Sequence, residues 1–322
     1  TVGYGHKVRL TNGGRFVAMV VILFGFGLLV MVTGRIASWL VNCNIKEGCG
    51  LVDQKTAKKH FVICGWKNVM VSVLEDILRV NPDLSDADIV LVSTVEPAEV
   101  ENLRSRPSLQ NMRFVRGDYV EENVLLRANI KQAAKVLVLA DSSAKASDQE
   151  VDARTVMSVL TIKTISKDIY TCVELIDSKF KRYLENVHCD EIILSREYNR
   201  ILLANATAAS GLAHIIQDLL DVEGSRLVTK NFPARFVGDT FANLSKYFME
   251  DENTIVIGIL ENTGNIFQRK REALQEAQKT PDISRLVSNL QEVKELRGNL
   301  PVFNPGPDYE IKSFSKAILI QA

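Results

Sequence analysis

Residues 16–34, FVAMVVILFGFGLLVMVTG, run for nineteen positions without a charge and are bounded by Arg15 and Arg35. As an α-helix rising 1.5 Å per residue, the stretch spans roughly 28 Å, about one bilayer core. It reads as a membrane helix. Its glycines leave two roles open: a plain anchor whose small residues let neighbouring helices pack closely, or a helix that bends.

The residues ahead of it favour the second role. Thr1-Val2-Gly3-Tyr4-Gly5 resembles the potassium selectivity filter, a loop whose carbonyl rings from four subunits replace the hydration shell of K⁺. Filter, short connection and apolar helix, in that order, resemble the end of a potassium-channel pore. The resemblance implies that the helix is the inner, pore-lining one. Gly25 then stands where the inner helix of many such channels bends, and Gly27 is a second hinge candidate. His6 departs from the pattern, which usually continues with Asp; that bears on the bracing of the outer mouth and not on the carbonyl rings. An outer helix and a pore helix precede the filter in such channels, so the resemblance also implies further chain ahead of Thr1.

The chain has 322 residues and zero formal net charge. That length suits two or three domains, including a soluble part of about 260 residues with its own core. Without a basic surplus, nucleic acid is excluded as a partner on electrostatic grounds. Of the five cysteines, Cys64 and Cys172 lie in apolar, strand-like runs and read as core residues. Cys43 and Cys49 flank a glycine-containing connection, but their spacing matches no strong zinc pattern and no histidine is near. Lys55, Lys58 and Lys59 follow the membrane helix, which by the positive-inside rule places the soluble part in the cytoplasm.

The patterning divides the chain into residues 1–41 (filter and inner helix), a linker at 42–58, a nucleotide-type lobe at 59–222 and a smaller lobe at 223–322. In the first lobe, short apolar runs alternate with amphipathic stretches. Strands are expected at Phe61–Cys64, Ile89–Val92, Arg113–Val115, Val136–Leu139, Ile169–Glu174 and Glu191–Leu194. The helices between them are Asn68–Arg79, Pro97–Arg106, Glu121–Ala128, Gln149–Thr164 and Ser178–Val187. This alternation predicts an α/β fold, a doubly wound parallel, Rossmann-like sheet that binds ligands beyond the carboxyl ends of its strands. One long helix, Glu197–Leu220, is expected next, and then a smaller α+β lobe. That lobe carries a charged insertion, 264–300, read as a solvated helical segment or a partner-binding one.

Gly65 supplies the tight turn after the first strand, and the next helix would point its N-terminus at a ligand in the crevice. The three-glycine fingerprint is incomplete: its second and third positions fall on Lys67 and Met70, and Lys67 could instead meet a phosphate. Ser93 and Thr94, with Glu96 slightly beyond, stand where an acid would grip a ribose. A mononucleotide, a dinucleotide or neither remains open from these residues.

The filter, the inner helix, the strand-Cys64-Gly65-Trp66 turn, the Gly117-Asp118 pair and the run Val136–Asp141, in this order, resemble the RCK-gated potassium channels. Their cytosolic regulatory domain is also called a TrkA-N and TrkA-C pair. The resemblance implies a homotetrameric pore in a prokaryotic cell or inner membrane, multi-pass and surrounded by membrane lipid. It carries a cytoplasmic ring of eight such domains, four of them from soluble copies or from a second domain after Ala322. Ligand binding reshapes the ring, which pulls on the inner helices through the linker. For a nucleotide such as NAD or ADP, the implied site is Gly65, Trp66, Lys67, Asn68, Ser93, Thr94, Gly117, Asp118 and Asp141. For Ca²⁺, the implied carboxylates are Asp141 and Glu174, with Asp177 beside the third position, which falls near Ile176. Asp141 and Glu174 could equally be surface or capping carboxylates, and Asp118 could instead be a turn residue bonding its own backbone.

The four histidines, His6, His60, His188 and His214, stand beside no recognisable catalytic partner, so an enzyme is not expected. The alternative to a channel is a nucleotide-sensing regulatory subunit of a separate K⁺ transporter. The filter-like start and the apolar helix argue against it.

Overall fold

A computed structural model describes residues 11–143, 146–208, 210–220, 224, 226–264, 266–278, 286, 288–291, 293, 296 and 298–321. Thr1 to Gly5 and His6 lie outside the described residues. The chain forms two compact units, Thr1–Val52 and Asp53–Ala322.

Among the described residues, the first unit holds one helix, α1, Asn12–Gly48. Its segment Asn12–Ser38 is long and apolar enough to cross a membrane. Phe16, Ile22, Phe24, Leu28 and Met31 are all exposed, so the segment is apolar all round, as a lipid-facing or helix-packed span must be. Near the end of the span, Thr33 Oγ1 donates to the Leu29 and Val30 carbonyls, which satisfies that hydroxyl within the helix. The helix passes Gly25 and Gly27 without a break. It also continues to Gly48, so the linker expected from residue 42 is helical over its first seven positions. Nothing in Val41–Gly48 forbids a helix, since it lacks proline and its only glycine stands last.

The second unit opens with a six-stranded parallel sheet. In chain order its elements are β1 Phe61–Cys64, α2 Met70–Val80, β2 Ile89–Ser93, α3 Pro97–Arg104, β3 Arg113–Arg116, α4 Glu122–Arg127, β4 Lys135–Val138, α5 Asp148–Ile165, β5 Tyr170–Leu175, α6 Lys181–Asn186 and β6 Glu191–Leu194. The strand order is β3-β2-β1-β4-β5-β6. Alternate strand residues feed two cores. Val62, Cys64, Val90, Val92 and Val136 pack with Val156, Val159, Ile162 and Leu184 of α5 and α6. Ile63, Ile89, Leu91 and Phe114 pack with Met70, Leu74, Val100 and Leu103 of α2 and α3. Burial on both faces explains why the central strands β1 and β2 read as near-continuous apolar runs. Helix starts follow local chemistry: Pro97 opens α3, and Ser147 Oγ accepts the Glu150 N–H ahead of α5, with Asp148 and Glu150 in its first turn.

Two expectations are corrected here. β4 is Lys135–Val138 rather than Val136–Leu139, because Phe61 pairs with Lys135 and Leu139 belongs to the loop over the site. The single helix expected at Glu197–Leu220 is two, α7 Ser195–Ala208 and α8 Leu212–Leu220. The chain turns between them at Gly211, whose φ is +87°; glycine adopts that backbone without the clash a Cβ would bring.

The smaller lobe holds β7 Arg226–Lys230, α9 Phe241–Glu252, β8 Ile255–Glu261, α10 Ile266–Ala277, β9 Leu300–Phe303 and β10 Lys316–Gln321. Its antiparallel sheet has the order β7-β10-β8-β9 and a core of Phe236, Phe241, Leu244, Phe248, Ile259, Ile311 and Leu319. Gly258 lets β8 and β9 close, since a Cβ there would sit 2.5 Å from the Val302 carbonyl oxygen. In the charged insertion, the start of α10 is fastened to this lobe. The Arg269 guanidinium lies 3.6 Å from the centre of the Phe314 ring, and its Nε donates to the Thr263 carbonyl.

Candidate ligand site at the sheet switch point

β1 and β4 are neighbours, yet the helices that follow them pack on opposite faces of the sheet. Their carboxyl ends therefore frame the crevice in which open α/β sheets bind ligands. Gly65 makes the turn that opens it. Its φ is +97°, and a Cβ on it would lie 3.0 Å from the Leu139 carbonyl oxygen and 3.5 Å from Asp141 Cβ. The Trp66 carbonyl accepts from both the N–H and the hydroxyl of Ser142, at 2.8 and 3.2 Å, so the loops after β1 and β4 are bonded to each other. Gly117 ends β3, and a Cβ there would meet Val124 Cγ2 at 2.6 Å. Only glycine lets α4 approach this turn.

The crevice consists of two adjoining hollows that share Thr94 and Ser143. One, of about 540 Å³, is lined by Trp66, Asn68, Val95, Glu96, Glu99 and Ser142 as well. The other, of about 300 Å³, adds Asp118, Tyr119, Asp141, Glu150 and Arg154. Asp118 Oδ1 accepts the Val120 N–H at 3.0 Å and an Arg154 N–H at 2.9 Å. The Arg154 guanidinium also lies 5.6 Å from the centre of the Tyr119 ring. Burial, with a smaller contribution from the Asp141 charge, pushes the Tyr119 phenol well above its usual range. Tyr119 is therefore a neutral wall of the hollow.

Of the residues expected at a nucleotide site, the crevice gathers Trp66, Asn68, Thr94, Asp118 and Asp141, with Gly65 and Gly117 shaping its backbone. Ser93 is buried, and its hydroxyl accepts the Val95 N–H of its own turn. Lys67 turns away from the expected phosphate position: Nζ donates to Glu174 Oε1 at 2.8 Å. Sequence reasoning missed Arg154, Tyr119, Glu150, Ser142 and Ser143. Arg154 had one faint local signal, its place beside Asp152, Thr155 and Ser158 on a helix otherwise apolar toward the sheet. Those three are buried.

The carboxylates expected to hold Ca²⁺ are engaged elsewhere. Glu174 Oε2 accepts the Ala140 N–H at 3.1 Å while its Oε1 holds Lys67. Asp177 Oδ1 accepts the Lys179 N–H at 3.1 Å, which lowers the pKa of this half-buried carboxyl. Among the described residues, no three His, Cys, Asp or Glu side chains are gathered as a metal site. Asp141, Glu174 and Asp177 thus form no ready coordination shell. Behind them, Asp152 accepts the N–H groups of Ile176 and Asp177 at 2.9 and 2.8 Å and holds that loop in place. Burial raises its pKa against those bonds.

Fold and crevice together define an α/β domain with a ligand-sized crevice at its switch point, preceded in the chain by a helix long and apolar enough to cross a membrane. Residues 56–173 match the profile of the calcium-activated potassium channel slowpoke-like RCK domain, and residues 1–42 match that of an ion channel. The chain is 29% identical to the calcium-gated potassium channel TvoK of Thermoplasma volcanium over 76% of its own length and 69% of the relative's. It is 26% identical to the putative potassium channel protein YugO of Bacillus subtilis over 82% of the chain and 76% of that protein. It is 31% identical to the calcium-activated potassium channel slo-1 of Caenorhabditis elegans over 68% of the chain, but spans only 20% of that protein. The human SLO3 gating ring superposes with a TM-score of 0.54 at 14% identity, covering 82% of this chain and 44% of the other; it shares the fold. The chain is thus similar to RCK-domain potassium channels over both its apolar helix and its parallel sheet. The relatives it matches are potassium channels and not enzymes.

Proposed function

We propose that this subunit conducts K⁺ through a filter at Thr1, Val2, Gly3, Tyr4 and Gly5 and is gated by a nucleotide, NAD or ADP, bound in the crevice between β1 and β4. The observation that carries this is the crevice itself: a glycine turn at Gly65, a Gly117-Asp118 turn opposite, and the Asp118–Arg154 pair between them. Its rim is richer in acids than in bases. Asp118, Asp141 and Glu96 suit ribose hydroxyls, and Arg154 suits a phosphate. The reading extends to a homotetramer with an octameric ring of regulatory domains, set multi-pass in the cell or inner membrane of a prokaryote with Asp53–Ala322 in the cytoplasm and lipid around α1. Gly25, with Gly27 as second candidate, serves as the gating hinge. Ca²⁺ gating is the second reading, supported by the relative from Thermoplasma; it would draw on Asp141, Glu174 and Asp177 only if Lys67 released Glu174. A regulatory subunit of a separate transporter is disfavoured by the ion-channel match over residues 1–42.

Calorimetric titration of the full chain with NAD⁺, NADH, ADP and ATP tests the nucleotide. Saturable binding is expected, weakened at least about tenfold by Asp118→Ala, the scale of one lost charged hydrogen bond. Absence of saturation with all four would sink it. Rubidium flux into liposomes tests the pore: Tyr4→Val should remove selectivity for K⁺ over Na⁺ and leave assembly intact.

A further inference from the structure

Beside this crevice, at the ends of β4 and β5, a cation is already in place, and it is covalently part of the chain. Lys67 lies two residues past the Gly65 turn and reaches across β4 to the end of β5, where Nζ meets Glu174 Oε1 at 2.8 Å. The two side chains are 25% and 14% exposed, so the pair is held largely out of water. The other Glu174 oxygen takes the Ala140 N–H, which leaves that carboxylate fully engaged. The neighbouring acids are engaged too: Asp141 Oδ1 by the Ser143 N–H at 2.8 Å, Asp177 by Lys179, and Asp152 by the N–H groups of Ile176 and Asp177.

A divalent ion such as Ca²⁺ requires six to eight oxygen ligands. Here it would have to expel an ammonium from Glu174 or share the carboxylate with it, and two cations on one largely buried carboxylate repel each other. We propose that Lys67 is a tethered counter-ion standing in for a divalent cation at the ends of β4 and β5, so that this crevice is indifferent to Ca²⁺. Removing the Lys67 charge leaves Glu174 a partly buried carboxylate without a counter-charge, a costly state that binding a cation relieves. Lys67→Met therefore creates a Ca²⁺ site on Glu174 and Asp141. Any calcium response of the unsubstituted chain arises at other residues.

The test is Ca²⁺ calorimetry on the full chain in detergent micelles, with thermal unfolding to verify that each variant is folded. Lys67→Met is expected to gain one saturable Ca²⁺ site that the double variant Lys67→Met/Glu174→Gln lacks, whereas Lys67→Arg gains none. Lys67→Gln, which keeps a hydrogen-bond donor and loses the charge, is the second variant should the methionine not fold. The proposal is overturned if the unsubstituted chain binds Ca²⁺ and Glu174→Gln abolishes that binding, or if the folded neutral variants gain no site. None of these readings involves a nucleotide, so failure of the nucleotide titration leaves them unaffected.

Discussion

The side-chain amide of Asn129 donates to the Ala57 carbonyl at 2.8 Å, fastening the chain ahead of β1 to the turn after α4. Ala57 is itself buried in the sheet core. Two backbone bonds flank the contact, from the Gln54 N–H to the Arg127 carbonyl and from the Lys59 N–H to the Gln132 carbonyl, both at 2.8 Å. α4 therefore has the Gly117-Asp118 turn at one end and the docked connection at the other. Arg127 ties the two ends together, its Nη1 donating to the Arg116 carbonyl at 3.2 Å. A ligand that shifts Asp118 acts on the same six-residue helix that holds the connection.

Asn129 has φ +54°, a conformation asparagine tolerates better than alanine. Asn129→Ala removes the amide and strains the backbone, and is expected to cost about 1–3 kcal/mol of stability. Asn129→Gly relieves the backbone and loses only the bond. Thermal unfolding should rank the native chain above the glycine variant and the alanine variant last. Rubidium flux against nucleotide concentration should be less steep in both.

Gly117→Ala places a methyl 2.6 Å from Val124 Cγ2 and 2.9 Å from Cγ1, against a branched side chain with one preferred rotamer in a helix. The overpacking is expected to cost about 1–3 kcal/mol and to displace Asp118. A fall in nucleotide affinity larger than the fall in melting temperature would explain is the expected pattern. Unchanged affinity would dissociate this turn from the ligand.

His60 is buried, and its Nε2 lies 2.9 Å from the Ala128 carbonyl. Burial lowers its pKa, opposed by that bond and assisted by the Arg113 charge. His188 shifts the same way, through burial and then the charges of Lys270 and Lys163. With folded values below the unfolded value of about 6.5, the unfolded chain takes up protons first on acidification. Stability is complete above about pH 6.5 and is lost as pH falls below it toward the folded values. The melting temperature of the Asp53–Ala322 unit within the full chain should be level from about pH 7 to 8 and decline toward about pH 5. His60→Gln, which keeps a donor for Ala128 and cannot titrate, should flatten part of that decline.

α7 and α8 contain no buried described residue, and Leu203, Ile215 and Leu220 are exposed on them. An apolar surface of this kind is a candidate contact between copies of the domain in the proposed ring. Leu203→Asp and Ile215→Asp are each expected to lower the oligomeric mass measured by light scattering, with little effect on the melting of the β1–β6 sheet. An unchanged mass would remove these helices from the ring contact.

The sheet was legible because both of its faces are buried. β1 and β2 are then short apolar runs, the other strands keep an apolar centre, and all six were read to within a residue or two, down to the Gly65 and Gly117 turns. The break at Gly211 was not, because the apolar pattern continues through it and one glycine inside a helical pattern is tolerated. The site was half legible. Gly65, Trp66, Asn68, Thr94, Asp118 and Asp141 sit where strand ends must bring them. Arg154 and Tyr119 went unread because the Arg154–Asp118 pair joins residues 36 positions apart, a distance over which no local pattern operates.

The sequence by itself determined that a membrane-length helix precedes an α/β regulatory domain, that a filter-like loop precedes the helix, and which loops crown the sheet. These follow from periodicity and glycine placement, which act over a few residues. Only the tertiary structure decided which charges meet. Lys67, read as a phosphate partner, and Glu174, read as a calcium ligand, are bonded to each other across 107 positions. Folding brings the ends of β1 and β5 within one side chain's reach, and opposite charges held together out of water are more stable paired than apart.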